Sequence, residues 1–252
     1  MPGMVMWSST RLTLQPLAVA ALCWSITVLP SFRAAAPVRD ITQRMIIDDR
    51  FRPGSLSVML TQLEAEPEQA VLRSNMARAE ALVSIRRAEG VANLESGIDI
   101  DEVQERAERK ARKSLALNPS DSFLWLMLYS VASARRGTDV GNVHYVNASY
   151  FAGPHEGWIA LSRNRLGLSI FPILDPSVQQ LIVSEFAELV DAGFVEIPAT
   201  NLMGVGWEER ERLLNALRHV DPASKKRLYK RLRQDGVKVA IPGVEEEERP
   251  WP

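Results

Sequence analysis

Apolar positions along this chain form one long uncharged stretch near the N-terminus, followed by shorter segments with helical spacing. The stretch from Leu12 to Phe32 runs 21 residues without a charge, and 14 of them are apolar. About 20 such residues cross the hydrocarbon core of a bilayer. Arg11 and Arg33 bracket the run as basic residues able to snorkel to the two surfaces. Residues 1–33 read as a retained N-terminal membrane anchor. A cleaved signal segment and a buried soluble helix compete with that reading. Ala34 and Ala36 suit cleavage, but Arg33 and Pro37 do not. Gln15, Pro16 and Pro30 interrupt a soluble helix. Leu22 stands where a lipid-attachment motif at Cys23 needs a small residue, so Cys23 reads as a packed or lipid-facing thiol. The flanking charges conflict over orientation. Arg33, Arg39 and Arg44 favour a cytoplasmic body, whereas a tail as short as Met1–Arg11 commonly stays inside. We expect a single pass through the inner membrane with a periplasmic body.

Beyond this stretch the spacing predicts helix after helix. Over 67–89, Leu72, Met76, Ala79 and Val83 make one stripe, with Pro67 in the first turn and Gly90 as the stop. Over 100–117, Glu102–Arg106, Glu105–Arg109 and Glu108–Arg112 are acid-to-base pairs at i,i+4, each adding about 0.2–0.5 kcal/mol. That helix reads as solvated outside and small inside, at Val103, Ala107 and Ala111. Segment 122–135 is apolar nearly all round, hence buried, and too short to span a membrane. Segments 140–152 and 156–171 read as the next pair, punctuated by Gly153-Pro154. Asp175-Pro176 starts a helix that carries Val178, Ile182, Phe186 and Leu189 and ends at Gly193. A last pair covers 207–219 and 222–235, the second opened by Asp221-Pro222. Phe194–Ile197 and Val237–Ile241 read as short extended pieces. The expected class is all-α. Its parts are a linker with a short helix over 34–66, a helical body over 67–235 and a mobile tail over 236–252.

The helices recur with a period near that of known helical-hairpin repeats. Pro119 and Pro154 lie 35 residues apart, and Trp125 and Trp158 lie 33 apart. The run Ala107-x3-Ala111-x2-Ser114-Leu115-x-Leu117-Asn118-Pro119, followed by Trp125-x2-Leu128, resembles the tetratricopeptide repeat. That resemblance implies stacked hairpins, since each hairpin needs its neighbours to bury its apolar face. The chain departs from the pattern at Tyr129, where glycine is usual, and at Trp158, which follows its proline by four residues rather than six.

Two segments carry a narrower resemblance: Ala116-Leu117-Asn118-Pro119-Ser120-Asp121-Ser122-Phe123-Leu124-Trp125, and Gly153-Pro154-His155-Glu156-Gly157-Trp158-Ile159-Ala160-Leu161 with Arg163-Asn164-Arg165. With the N-terminal stretch they resemble VpsP-like accessory proteins of exopolysaccharide biosynthesis. The resemblance covers roughly 50–220 and implies a pathway rather than a reaction. It implies a membrane-anchored scaffold with protein partners in a polysaccharide assembly complex. An adaptor of a pilus or secretion machine and an unrecognised glycan-modifying enzyme are the alternatives.

Composition narrows the chemistry. Lys and Arg total 30 against 31 for Asp and Glu, so no global charge draws nucleic acid. One cysteine excludes an intramolecular disulfide framework and a Cys-x-x-Cys zinc site. His144, His155 and His219 lack metal spacing, and no cofactor or metal is expected. No nucleophile elbow, His-Glu-x-x-His or phosphate loop occurs, so no catalytic residue is assigned. The best polar constellation is Glu156 with His155 and Arg163, and Asn164 neighbours its face; Glu156, Trp158, Arg163 and Asn164 are read as the candidate partner-binding set. Its plainer reading has Glu156 capping a helix and Arg163 pairing across a hairpin. Trp125 and Trp158 would suit a sugar platform, but their repeat spacing favours the core. Glu156 with Asp175 would be the glycosidase pair, except that Asp175 serves as a cap. Lys225, Lys226, Arg227, Lys230, Arg231 and Arg233 make a basic amphipathic helix that could touch anionic lipid or an acidic polymer. A solvated face, or the Glu245–Glu248 run folding back on it, is the plainer account.

Overall fold

The computed structural model describes residues 18–19, 21–22, 24, 55–65, 73–92, 99–137, 140–154 and 156–245. Among them the fold is all-α, with helices joined by turns and no strand. The expected span Leu12–Phe32, with Cys23, lies outside the described residues except at five positions, which are helical. No helix of the described residues is long and apolar enough to cross a membrane. The contacts form two compact units, Met1–Asn118 and Pro119–Pro252, a division inside the single body expected over 67–235.

The first unit holds α1 (Ser55–Ala65), α2 (Arg73–Ala92) and α3 (Ile100–Leu117), with α2 packed on both others. Asp99 caps α3 by accepting the backbone N–H groups of Asp101 and Glu102. Ala107 and Ala111 are fully buried, so small side chains let α3 approach α2 closely. The three predicted ion pairs form: Glu102–Arg106 at 3.4 Å, Glu108–Arg112 at 2.5 Å, and Glu105–Arg109. Lys110 of α3 reaches Glu64 of α1 at 2.6 Å and Glu80 of α2 at 2.9 Å, so one ammonium ties all three helices. Gly90 does not stop α2, which runs on to Ala92. Nothing lies within 4 Å of where a Gly90 Cβ would sit, so no neighbouring element forces a break there. The expected start at Pro67 lies outside the described residues.

The second unit comprises α4 (Ser122–Arg136), α5 (Val140–Ala152), α6 (Gly157–Ser169), α7 (Pro176–Asp191), α8 (Glu196–Met203), α9 (Arg210–Ala216) and α10 (Pro222–Gln234). Short 3-10 turns cover Phe171–Ile173 and Leu217–His219. The principal pairs are α4 with α5 and α6 with α7, which corrects the pairing of 140–152 with 156–171. Gly153-Pro154 therefore separates two hairpins instead of turning within one. Consecutive hairpins contact α4 to α6 and α5 to α7. Asp121 and Asp221 cap α4 and α10 through backbone N–H groups. Gly193 takes φ 87° just past α7, and Phe194 N–H closes back on the Leu189 carbonyl.

Phe194–Ile197 is not extended; it leads into α8. Pro198 falls in the first turn of that helix, where its missing N–H costs no hydrogen bond. Val237–Ile241 forms no strand, yet Ile241 is only 3% exposed, so the start of the expected mobile tail is packed.

Candidate functional site

The candidate set divides between the core and the surface. α6 turns Ile159, Ala160, Arg163, Asn164, Gly167 and Leu168 inward. Two of those inward positions are polar, and burying them demands partners. Arg163 has all five of its N–H donors engaged. Nε and Nη2 both donate to Glu185 Oε1, at 3.0 Å and 2.5 Å. Nη1 donates to the carbonyls of Ser149 and Gly153, and Nη2 also to that of Pro154. Ser149 lies in the last turn of α5, so the guanidinium caps the end of that helix. It also sits 4.1 Å from the Tyr150 ring centroid. Tyr150 donates its hydroxyl to Glu185 Oε2 at 2.7 Å. Asn164 donates to the Ile182 carbonyl of α7 and accepts from Asn201 of α8.

Burial and charge work against each other in this network. Desolvation raises the Glu185 carboxyl above the ordinary glutamate value, although Arg163 and the Tyr150 hydroxyl pull it back down. Burial, with the neighbouring Glu185 charge, raises the Tyr150 phenol well above its usual value. Arg163 and Asn164 are both 0% exposed, so neither can touch a partner directly, which corrects their place in the partner-binding set. Arg163 does pair across a hairpin, as the plainer reading had it.

Glu156 stands at the N-cap of α6 but makes no side-chain cap bond. Its Oε2 accepts instead from Ser122 Oγ at 3.0 Å, one hairpin away. A Cβ on Gly153 would fall 2.7 Å from both Glu156 Oε1 and Ser122 Oγ, so glycine makes room for that bond. Trp158 is 44% exposed and is not a core residue. Trp125, half-buried, explains the difference: its indole N–H donates to the Pro119 carbonyl at 2.8 Å, six residues back. Trp158 follows Pro154 by only four residues, and the position six beyond Pro154 is the buried Ala160. Trp158 therefore matches Phe123, four beyond Pro119, and those two rings touch with centroids 4.9 Å apart.

Asp175 occupies the N-cap of α7, but its carboxylate accepts from Asn147 at 2.7 Å rather than from its own helix. In the basic helix, Lys225 is 5% exposed and does not belong to a solvent-facing stripe. Arg231 is tied to Glu196 and Asp235, both at 2.6 Å. Lys226, Arg227, Lys230 and Arg233 remain exposed. His144 lies against Tyr145, while His155 and Glu246–Glu248 lie outside the described residues.

Glu185 and Tyr150 were missed by sequence reasoning. A signal existed for Glu185: it sits on the stripe of Val178, Ile182, Phe186 and Leu189, where a carboxylate cannot stand without a partner. Comparison with protein-family models, curated proteins and solved structures finds no match.

Proposed function

We propose that this chain is a membrane-anchored scaffold of tetratricopeptide-like hairpins that holds protein partners of an envelope or exopolysaccharide assembly system. The observation that carries the repeat reading is contact at one repeat spacing between successive hairpins. Ser122 meets Glu156 at a separation of 34 residues. Tyr150 meets Glu185 at 35, and Phe123 meets Trp158 at the same offset. Repeat proteins propagate in this way, each unit packing on the equivalent places of its neighbour.

The buried polar network lends a chemical role no support. Catalysis needs groups that reach a substrate, and Arg163, Glu185 and Asn164 spend their hydrogen bonds inside the fold. In this reading the chain is not an enzyme, uses no cofactor and does not bind nucleic acid. The anchor 1–33 keeps it in the inner membrane with the body in the periplasm. The polysaccharide assignment rests on the resemblance of 116–125 and 153–165.

Purification of the full chain in mild detergent tests the scaffold. Stoichiometric recovery of an envelope assembly component supports it, and a chain that purifies alone and cleaves a glycan overturns it.

A further inference from the structure

The start of α6 carries an exposed aromatic face at Trp158 and, two residues earlier, a carboxylate at Glu156 that the buried network leaves unused. Trp158 leans on the half-buried Phe123 with planes at 49°, so the indole is braced while much of it meets solvent. Its Nε1 donates to no described residue. Glu156 Oε2 is fixed by Ser122, while Oε1 accepts no hydrogen bond from the described residues. Gly153 leaves room for that carboxylate, so it is positioned before any ligand arrives.

We infer that this surface binds a neutral glycan. A pyranose stacks its apolar C–H face on the indole of Trp158 and donates a hydroxyl to Glu156 Oε1, while the indole N–H, which lies in the ring plane, donates to a hydroxyl of the adjoining sugar unit. Sugar hydroxyls both donate and accept, which matches a site offering one acceptor and one donor around an aromatic face. An acidic polymer would bring its charges against Glu156. An apolar partner helix would desolvate that carboxylate and give it no donor. The inference deepens the scaffold reading and rests on its polysaccharide part, to which it adds a direct glycan contact.

The test runs the full-length chain, in mild detergent, through native gels cast with hydroxyethyl cellulose, glucomannan, a β-1,3-glucan or acidic alginate. At least one neutral polymer retards the chain, and alginate retards it less. Trp158→Ala weakens the retardation about tenfold, Glu156→Gln weakens it measurably, and Trp207→Ala, at another exposed indole, leaves it unchanged. Fluorotryptophan-labelled wild-type chain gives a second readout that needs no destabilised variant. The Trp158 line, identified with Trp158→Phe, shifts when the retarding polymer is added. Absence of retardation by every neutral polymer overturns the inference. So does full retention in folded Trp158→Ala, equal binding to alginate, a static Trp158 line, or a Trp158→Ala defect confined to a co-purifying protein. Polymer secretion by a deletion strain is read separately. Reduced secretion without glycan binding removes this contact alone, and normal secretion with intact binding removes the pathway reading alone.

Discussion

Arg163 and Glu185 meet with their side chains 0% and 3% exposed, and two hydrogen bonds from the guanidinium converge on one carboxylate oxygen. Removing either partner strands the other in a medium that solvates charge poorly. Arg163→Met is expected to cost about 3–5 kcal/mol in urea unfolding. Arg163→Lys restores little, because an ammonium has three donors and cannot span three carbonyls and a carboxylate. Arg163→Met combined with Glu185→Leu recovers much of the loss. A single-variant cost below about 1 kcal/mol would contradict the network.

Glu185 also has a defined pH signature. Its folded carboxyl holds a proton more tightly than the unfolded one, because burial outweighs the pull of Arg163 and Tyr150. Its contribution to stability is therefore fully present below the ordinary glutamate value and is lost as pH rises through the raised folded value. A carbon-detected NMR titration should place the Glu185 midpoint above the ordinary glutamate value. A midpoint at or below that ordinary value would mean that Arg163 dominates.

Gly167 opposes helix propensity to packing. Alanine in mid-helix ordinarily gains up to about 1 kcal/mol over glycine. Here the new Cβ would fall 2.8 Å from Ile182 Cδ1 and 3.2 Å from the Tyr150 hydroxyl. Overpacking of that kind costs about 1–3 kcal/mol, so Gly167→Ala should lower the melting temperature. Exposed Gly90→Ala, with nothing within 4 Å, should raise it slightly.

Lys110 is expected to matter to the first unit alone. Burial lowers its pKa, but the hydrogen bonds it donates to Glu64 and Glu80, with the charges of those carboxylates, outweigh that and raise it. Its contribution is present below the ordinary lysine value and lost as pH rises through the raised one. Lys110→Met leaves Glu80 half-buried without this partner and should cost about 1–2 kcal/mol. Hydrogen exchange checks it: protection should fall in α1–α3, and an equal loss in α6–α7 would refute a local tie.

Helix order was legible because the signals were local. Asp175 and Asp221 mark helix starts, and the apolar stripe of 178–189 fixes one inward face. α8 was not legible, since Pro198 and the β-branched Val195 and Ile197 mimic an extended piece. Arg163 was singled out, but its partner lies 22 residues away on another helix, and only packing reveals that distance. Trp158 was misplaced because equal tryptophan spacing suggested equal roles, whereas the offset from the preceding proline decides which ring turns inward.

The central claim, a scaffold serving envelope polysaccharide assembly, is tested most directly by the secreted polymer of a strain lacking this chain. The account predicts lower polymer yield or shorter chains, restored by the wild-type chain and not by one lacking residues 1–33. Polymer of normal amount and length in the deletion strain would contradict it.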